Sequence, residues 1–251
     1  MCGLSLPLCI FIIFRSYNKR MRKYLSLLTA FFYLFLVTVS VLLCVNSPLG
    51  QTVMSAQKRL SVVIDAGHGG IDGGVTGKTT GVKESDLNLS ISYILKDLFV
   101  DAGFLVTMTR ATEFGVTDGI NAWTKKGDMK KRREIIQETN PDFVLSIHQN
   151  ALAFNRSIRG AQVFYAQGKE TDKQLAVIMQ TALNAVYQKH GVKPRNATVG
   201  EYYMLECTTA PSLIIECGFL SSPNDEKLLL QDFHKKQIAN AIFTSVVATL
   251  S

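Results

Sequence analysis

Residues 60–70 read LSVVIDAGHGG. A short β-branched apolar run that stops abruptly at glycines is the pattern of a strand buried on both faces, as in a parallel sheet covered by helices. A helix follows: Leu87, Ile91, Ile94, Leu95 and Leu98 recur at helical spacing, and Ser85 with Asp86 suits its start. Gly103 sits where that helix should end and introduces a second strand, FLVTMTR (104–110). Residues 111–129, polar and with the sole tryptophan, Trp123, read as a long surface loop. A helix over 130–139 is stopped by Pro141, and DFVLSIH (142–148) is a third strand. GAQVFY (160–165) predicts another strand, 169–189 a long amphipathic helix, YYMLE (202–206) and SLIIE (212–216) two strands around TTAP, and about 233–250 a closing helix. Strands alternating with helices predict an α/β fold, a single domain whose twisted, mostly parallel or mixed sheet is flanked by helices.

Ahead of residue 59 the composition changes. Residues 1–46 hold Arg15, Lys19, Arg20, Arg22 and Lys23 and no acid, and residues 24–45 carry no charge at all. That run exceeds the ~20 residues needed to cross a bilayer, so it predicts a membrane anchor with the basic cluster in the cytoplasm and the rest outside. A cleaved signal peptide is the rival reading; the run is longer than the usual ~7–15 residue apolar region, and no clear A-x-A-like site follows. VLLC (41–44) has bulky Leu43 where a lipoprotein site needs a small residue, residues 4–14 are too short to span, and Met21 is an alternative start. Residues 47–58 (SPLGQTVMSAQK) predict a linker, leaving 59–251 as the folded domain.

The net charge of +7 is largely an N-terminal property: removing those five cations from 27 Lys+Arg leaves 22 against 20 acids. A nucleic-acid-binding domain would carry the excess on its folded part, so no nucleic-acid partner is expected. Of five cysteines only Cys207 and Cys217 fall in the domain, too few for a disulfide framework, and no Cys-x-x-Cys exists for a thiolate zinc site. The two could pair outside the cell, but buried free thiols are the expected state.

Three polar groups stand where buried strands end: His68, His148 and Glu216. Ligands bind such sheets outside the carboxyl ends of the strands, so the three should converge. Glu84, across a glycine-rich loop from His68, can reach the same crevice. Two histidines, a carboxylate and an open position make a catalytic zinc set, and a second carboxylate beside it can move the proton in amide hydrolysis. Taken singly, each has a plainer reading: a hydrogen-bonded structural histidine, or a glutamate favouring a helix start. His190 and His234 read as solvated, 130–133 as a solvated helix face, and Trp123 as either a sugar-groove wall or surface packing.

Six blocks in order, DAGHGGIDGG (65–74), ESDLNL (84–89), TMTR (107–110), SIHQNA (146–151), GAQVFY (160–165) and PSLIIECGFLSSPNDEKLL (211–229), resemble the zinc-dependent N-acetylmuramoyl-L-alanine amidase family. The resemblance implies one zinc ion, His68, Glu84 and His148 as its ligands, and Glu216 as general base and acid. It implies peptidoglycan as substrate, cut at the amide between the lactyl group of muramic acid and L-alanine. The family often has Pro where Ala66 stands and a small residue where Gln149 stands; neither touches a ligand position. The compact layout with one N-terminal span is similar to germination-specific members from spore-forming bacteria. That implies a role in cortex maturation (muramic δ-lactam formation), in the cell envelope or the forespore intermembrane space; whether a partner protein is needed for activity stays open. A vegetative wall-turnover amidase would look much the same; another zinc hydrolase of the wall and a non-catalytic peptidoglycan-binding homologue are the rivals.

Overall fold

In a computed structural model of the chain, residues 6–46, 58–117 and 123–250 are described. The linker expected over 47–58 lies outside them but for Lys58, as do Cys2 and residues 118–122 of the expected loop. Two compact units divide the chain, Met1–Lys58 and Arg59–Ser251. In the first, helix α1 (Leu6–Asn46) contains a stretch, Lys23–Cys44, of 22 residues with mean hydropathy 2.5, long and apolar enough to cross a membrane by length and composition.

In the second unit, β1 (Ser61–Ala66), β3 (Phe143–Asn150) and β6 (Ser212–Phe219) run side by side and parallel at the centre of a six-stranded sheet. β2 (Leu105–Met108) extends it beyond β1. On the other side β4 (Gln162–Tyr165) pairs antiparallel to β6 and carries the two-residue β5 (Thr198–Val199), so the sheet is mixed. The strand period of two sends Val62, Ile64, Leu145, Ile147, Leu213 and Ile215 to one face and Val63, Val144 and Ile214 to the other. The first face is covered by α2 (Glu84–Asp101), α4 (Glu170–Gln188) and α6 (Asp232–Ala248). From α2 alone Leu87, Ile91, Leu95 and Phe99 are buried there, each stabilising by roughly 1.5–3 kcal/mol relative to exposure. The second face is covered by Ile136 of α3 (Lys125–Thr139) and by Met204 and Leu205.

Several sequence expectations are corrected. YYMLE is a 3-10 turn (Tyr203–Glu206), because the adjacent Met204 and Leu205 both face the sheet, which a strand cannot arrange. α3 begins at Lys125, within the expected loop: the Thr124 hydroxyl accepts from the Gly127 N–H at 3.0 Å and caps it. Residues 130–133 are not wholly a solvated face, since Arg132 is 2 % exposed between two carboxylates. His234 is not solvated but buried, edge-on to the rings of Tyr187 and His190; His190 is exposed. A short helix unrecognised in the sequence, α5 (Pro223–Leu229), carries Glu226, which accepts from the Thr79 and Thr80 N–H groups at 2.9 and 2.6 Å and fastens the loop before α2. Cys207 and Cys217 are buried free thiols.

Candidate metal centre

Parallel register sets the site. His148 of β3 lies directly opposite Glu216 of β6, and a β-bulge follows His148. One strand over, β1 ends at Ala66 and the chain turns so sharply that His68 takes a left-handed backbone, φ 59°, a conformation non-glycine residues adopt only when surroundings impose it. The imposing groups are two buried arginines. Arg110 donates to the Ala66 and Gly67 carbonyls at 2.9 and 3.0 Å. Arg132 donates to the Ala66 and His68 carbonyls at 2.8 and 2.6 Å. Arg132 is balanced by Asp65 and Asp128 at 2.6 and 2.7 Å. Burial raises the Asp65 carboxyl, but the Arg132 charge and hydroxyl bonds from Ser146 and Thr109 outweigh it and hold it near 2.

Glu84 opens α2 yet turns its carboxylate away from the helix. Its Oε2 accepts from the Val75 N–H at 2.9 Å and its Oε1 from the Gln149 N–H at 3.1 Å. Oε1 also lies 3.3 Å from His68 Nε2 and 3.0 Å from His148 Nδ1. Burial pushes this carboxyl up, but hydrogen bonds and charge from His148 and His68 dominate and hold it far below the usual carboxylate range. Behind His68, Nδ1 is 2.9 Å from Asp72 Oδ2, a close charge contact without hydrogen-bond alignment; a carboxylate beside the second ring nitrogen is what orients a metal-binding histidine. Two glycines make the approach possible. A Cβ on Gly67 would fall 2.2 Å from the His148 ring, and one on Gly74, at φ +66°, 2.5 Å from Glu84 Oε2.

One potential ligand atom from each of His68, Glu84 and His148 lies within 4.8 Å of the others, so the three can hold a metal ion. Two imidazoles and one carboxylate match the donor set of catalytic zinc, with the fourth position open to a cleft of about 300 Å³. Glu216 lines the same cleft; its Oε2 is buried without a hydrogen-bond partner among the described residues. Burial raises its carboxyl to about 7, the charges of His148 and His68 pulling down and that of Glu84 pushing up. Met129, Lys125, Tyr202 and Tyr203 also line the cleft. Trp123 is half-buried and not part of it.

Sequence reasoning missed Asp72, Asn88 and Arg132. Asn88 donates to the Gly67 carbonyl at 3.0 Å and accepts from the Gln149 amide at 3.2 Å, tying three segments together. Asp72 was legible as part of the glycine motif, four residues after His68; the others had no local signal.

A family model described as N-acetylmuramoyl-L-alanine amidase matches residues 62–248. The chain is 27% identical over 189 residues to the germination-specific N-acetylmuramoyl-L-alanine amidase of Bacillus subtilis, covering 74% of this chain and 78% of that one. It is 27% identical over 199 residues to the probable cell wall amidase LytH of Staphylococcus epidermidis, covering 78% of this chain but 61% of the relative. Among solved structures, the CwlD amidase of Clostridioides difficile in complex with the GerS lipoprotein is similar with a TM-score of 0.72 and 34% identity, over 76% of this chain and 98% of that one.

Proposed function

The chain belongs to the N-acetylmuramoyl-L-alanine amidase family and has that amidase activity; from this premise we propose that it is a one-zinc hydrolase held by His68, Glu84 and His148, with Glu216 moving the proton. The observation that carries the reading is Glu216 opposite His148, its buried Oε2 without a hydrogen-bond partner among the described residues, fronting a three-donor cluster. Zinc, when bound there, supplies Lewis acidity that polarises the scissile carbonyl and makes water a stronger acid. The remaining work belongs to the chain. Glu216 takes a proton from the attacking water and delivers it to the amine of the departing L-alanine, so the carboxylate ends as it began. Glu84, fixed by two backbone N–H groups, and His68, backed by Asp72, hold the donor set rigid.

The peptidoglycan substrate follows from the family, and the likeness to a germination-specific amidase supports a role in spore-cortex maturation. Likeness to LytH favours vegetative wall metabolism as the second reading. The apolar segment Lys23–Cys44 supports an extracytoplasmic domain tethered by a retained anchor, with residues 47–58 as its linker. The relative solved with a lipoprotein supports a requirement for a protein partner here too. Glu216→Gln tests the division of roles: zinc content should stay stoichiometric while kcat falls by roughly 10²–10⁴. Loss of the metal in that variant would overturn it.

A further inference from the structure

The cleft does not end at its putting-together of donors around His148. Met129 and Tyr203 are shared with a second cavity, of about 510 Å³, along the outer side of α3, where Lys126, Lys130, Arg133, Glu134 and Gln137 complete the lining. Lys125 borders the first cavity, one residue before Lys126. Positions 126, 130 and 133 share one helix face, where like charges at this spacing repel. Glu134, the one acid in that lining, is engaged by Lys130 at 3.7 Å and Lys131 at 3.3 Å. Among the described residues Lys125 and Lys126 enter no ion pair and are exposed. Arg133 lies 5.6 Å from the Tyr203 ring centre and donates to its hydroxyl at 3.3 Å, which keeps the guanidinium along the shared wall.

We infer that this groove is the subsite for the carboxylate-bearing stem peptide beyond the bond that is cut; the inference rests on the amidase reading. The glycan offers neutral N-acetyl sugars. A stem peptide whose second residue is joined through its side-chain carboxyl keeps an α-carboxylate free a few bonds past the scissile amide, and carries further carboxylates toward its end. The lengths agree. From Lys125 to Arg133 the helix rises about 12 Å at ~1.5 Å per residue, against about 13–16 Å for four or five extended residues at ~3.3 Å each. Lys125, at the rim of the metal cleft, takes the first carboxylate, and Lys126, Lys130 and Arg133 those farther along. Charges at such a rim act on affinity and partner choice more than on turnover.

The test is fluorescence anisotropy on the full-length chain in detergent, with a labelled stem tripeptide bearing a free α-carboxylate and with its α-amide. The wild type should bind the free acid roughly 5- to 10-fold more tightly at low salt, the yield of one or two exposed ion pairs. In the triple variant Lys125→Gln, Lys126→Gln, Arg133→Gln the two affinities should become equal, while Lys236→Gln on α6 keeps the preference. Should the triple variant fail to fold, Lys125→Gln alone should reduce the ratio. Equal binding by the wild type, or an undiminished preference in a folded variant, overturns the inference. Kinetics on the corresponding muramyl peptides separates the two claims: the subsite predicts that the preference for free acid over amide in kcat/KM falls about 5-fold in the variant. Failure of the wild type to release peptide from either substrate would break the amidase reading, and the anisotropy ratio would still decide the subsite.

Discussion

Gly67 shows how little room the centre leaves. A methyl group there meets the His148 ring at 2.2 Å from Cε1, so Gly67→Ala should displace that imidazole and weaken metal retention about 10- to 100-fold, the range seen when groups supporting a metal ligand are lost. Zinc content after dialysis, read beside an unchanged circular dichroism spectrum, checks it. His234 is a residue the sequence misrepresents. It follows exposed Phe233 at a helix start and looks solvated, but its burial beside Tyr187 and His190 depends on segments distant in the chain. Burial and the nearby His190 lower its pKa to about 4 from 6.5. The folded state therefore binds fewer protons than the unfolded state between those values, so the neutral histidine's stabilisation is complete above about pH 6.5 and is lost as pH falls toward 4. The loss is about 3 kcal/mol at most. Urea midpoints at pH 7 and pH 5 should differ clearly in the wild type and less in His234→Phe; an equal difference in both would refute the assignment.

At the scale of the element, β1, β3 and β6 were legible because each is a short apolar run ending at a polar group, and burial on both faces leaves no other pattern. α3 was only half legible. Its buried positions are Asp128, Arg132 and Ile136, and a helix that buries charges hides its periodicity from a hydrophobic reading. The 3-10 turn over Tyr203–Glu206 was misread because its apolar composition suits a strand. α3's charges also make it a structural hinge pin for the site. Removing Arg132 takes from buried Asp65 and Asp128 the guanidinium that pairs with both, so Arg132→Met should cost about 3–5 kcal/mol in urea unfolding. Adding Asp65→Asn should recover part of that loss, because the two side chains share one network. Strictly additive losses would show that the pair is not coupled.

For the whole molecule, the candidate ligands His68, Glu84 and His148 and the candidate base Glu216 were singled out in the sequence because each stands near the carboxyl end of a central strand or at a helix start, which the topology gathers at one end of those strands. What could not be read there was the support behind them, which is built from residues without any shared local pattern. The anchor is a separate matter of length and apolarity. If it is retained, the full chain should stay with membranes through alkaline extraction at its unprocessed mass; a shortened chain in the soluble fraction would favour a cleaved signal. The most direct measurement is incubation of the zinc-loaded full-length chain, in detergent, with purified peptidoglycan, with and without a chelator, followed by mass spectrometry of the released fragments. The account predicts free stem peptides that begin with L-alanine, abolished by the chelator and restored by zinc. Release that persists after verified removal of the metal, or fragments cut at any other bond, would contradict it.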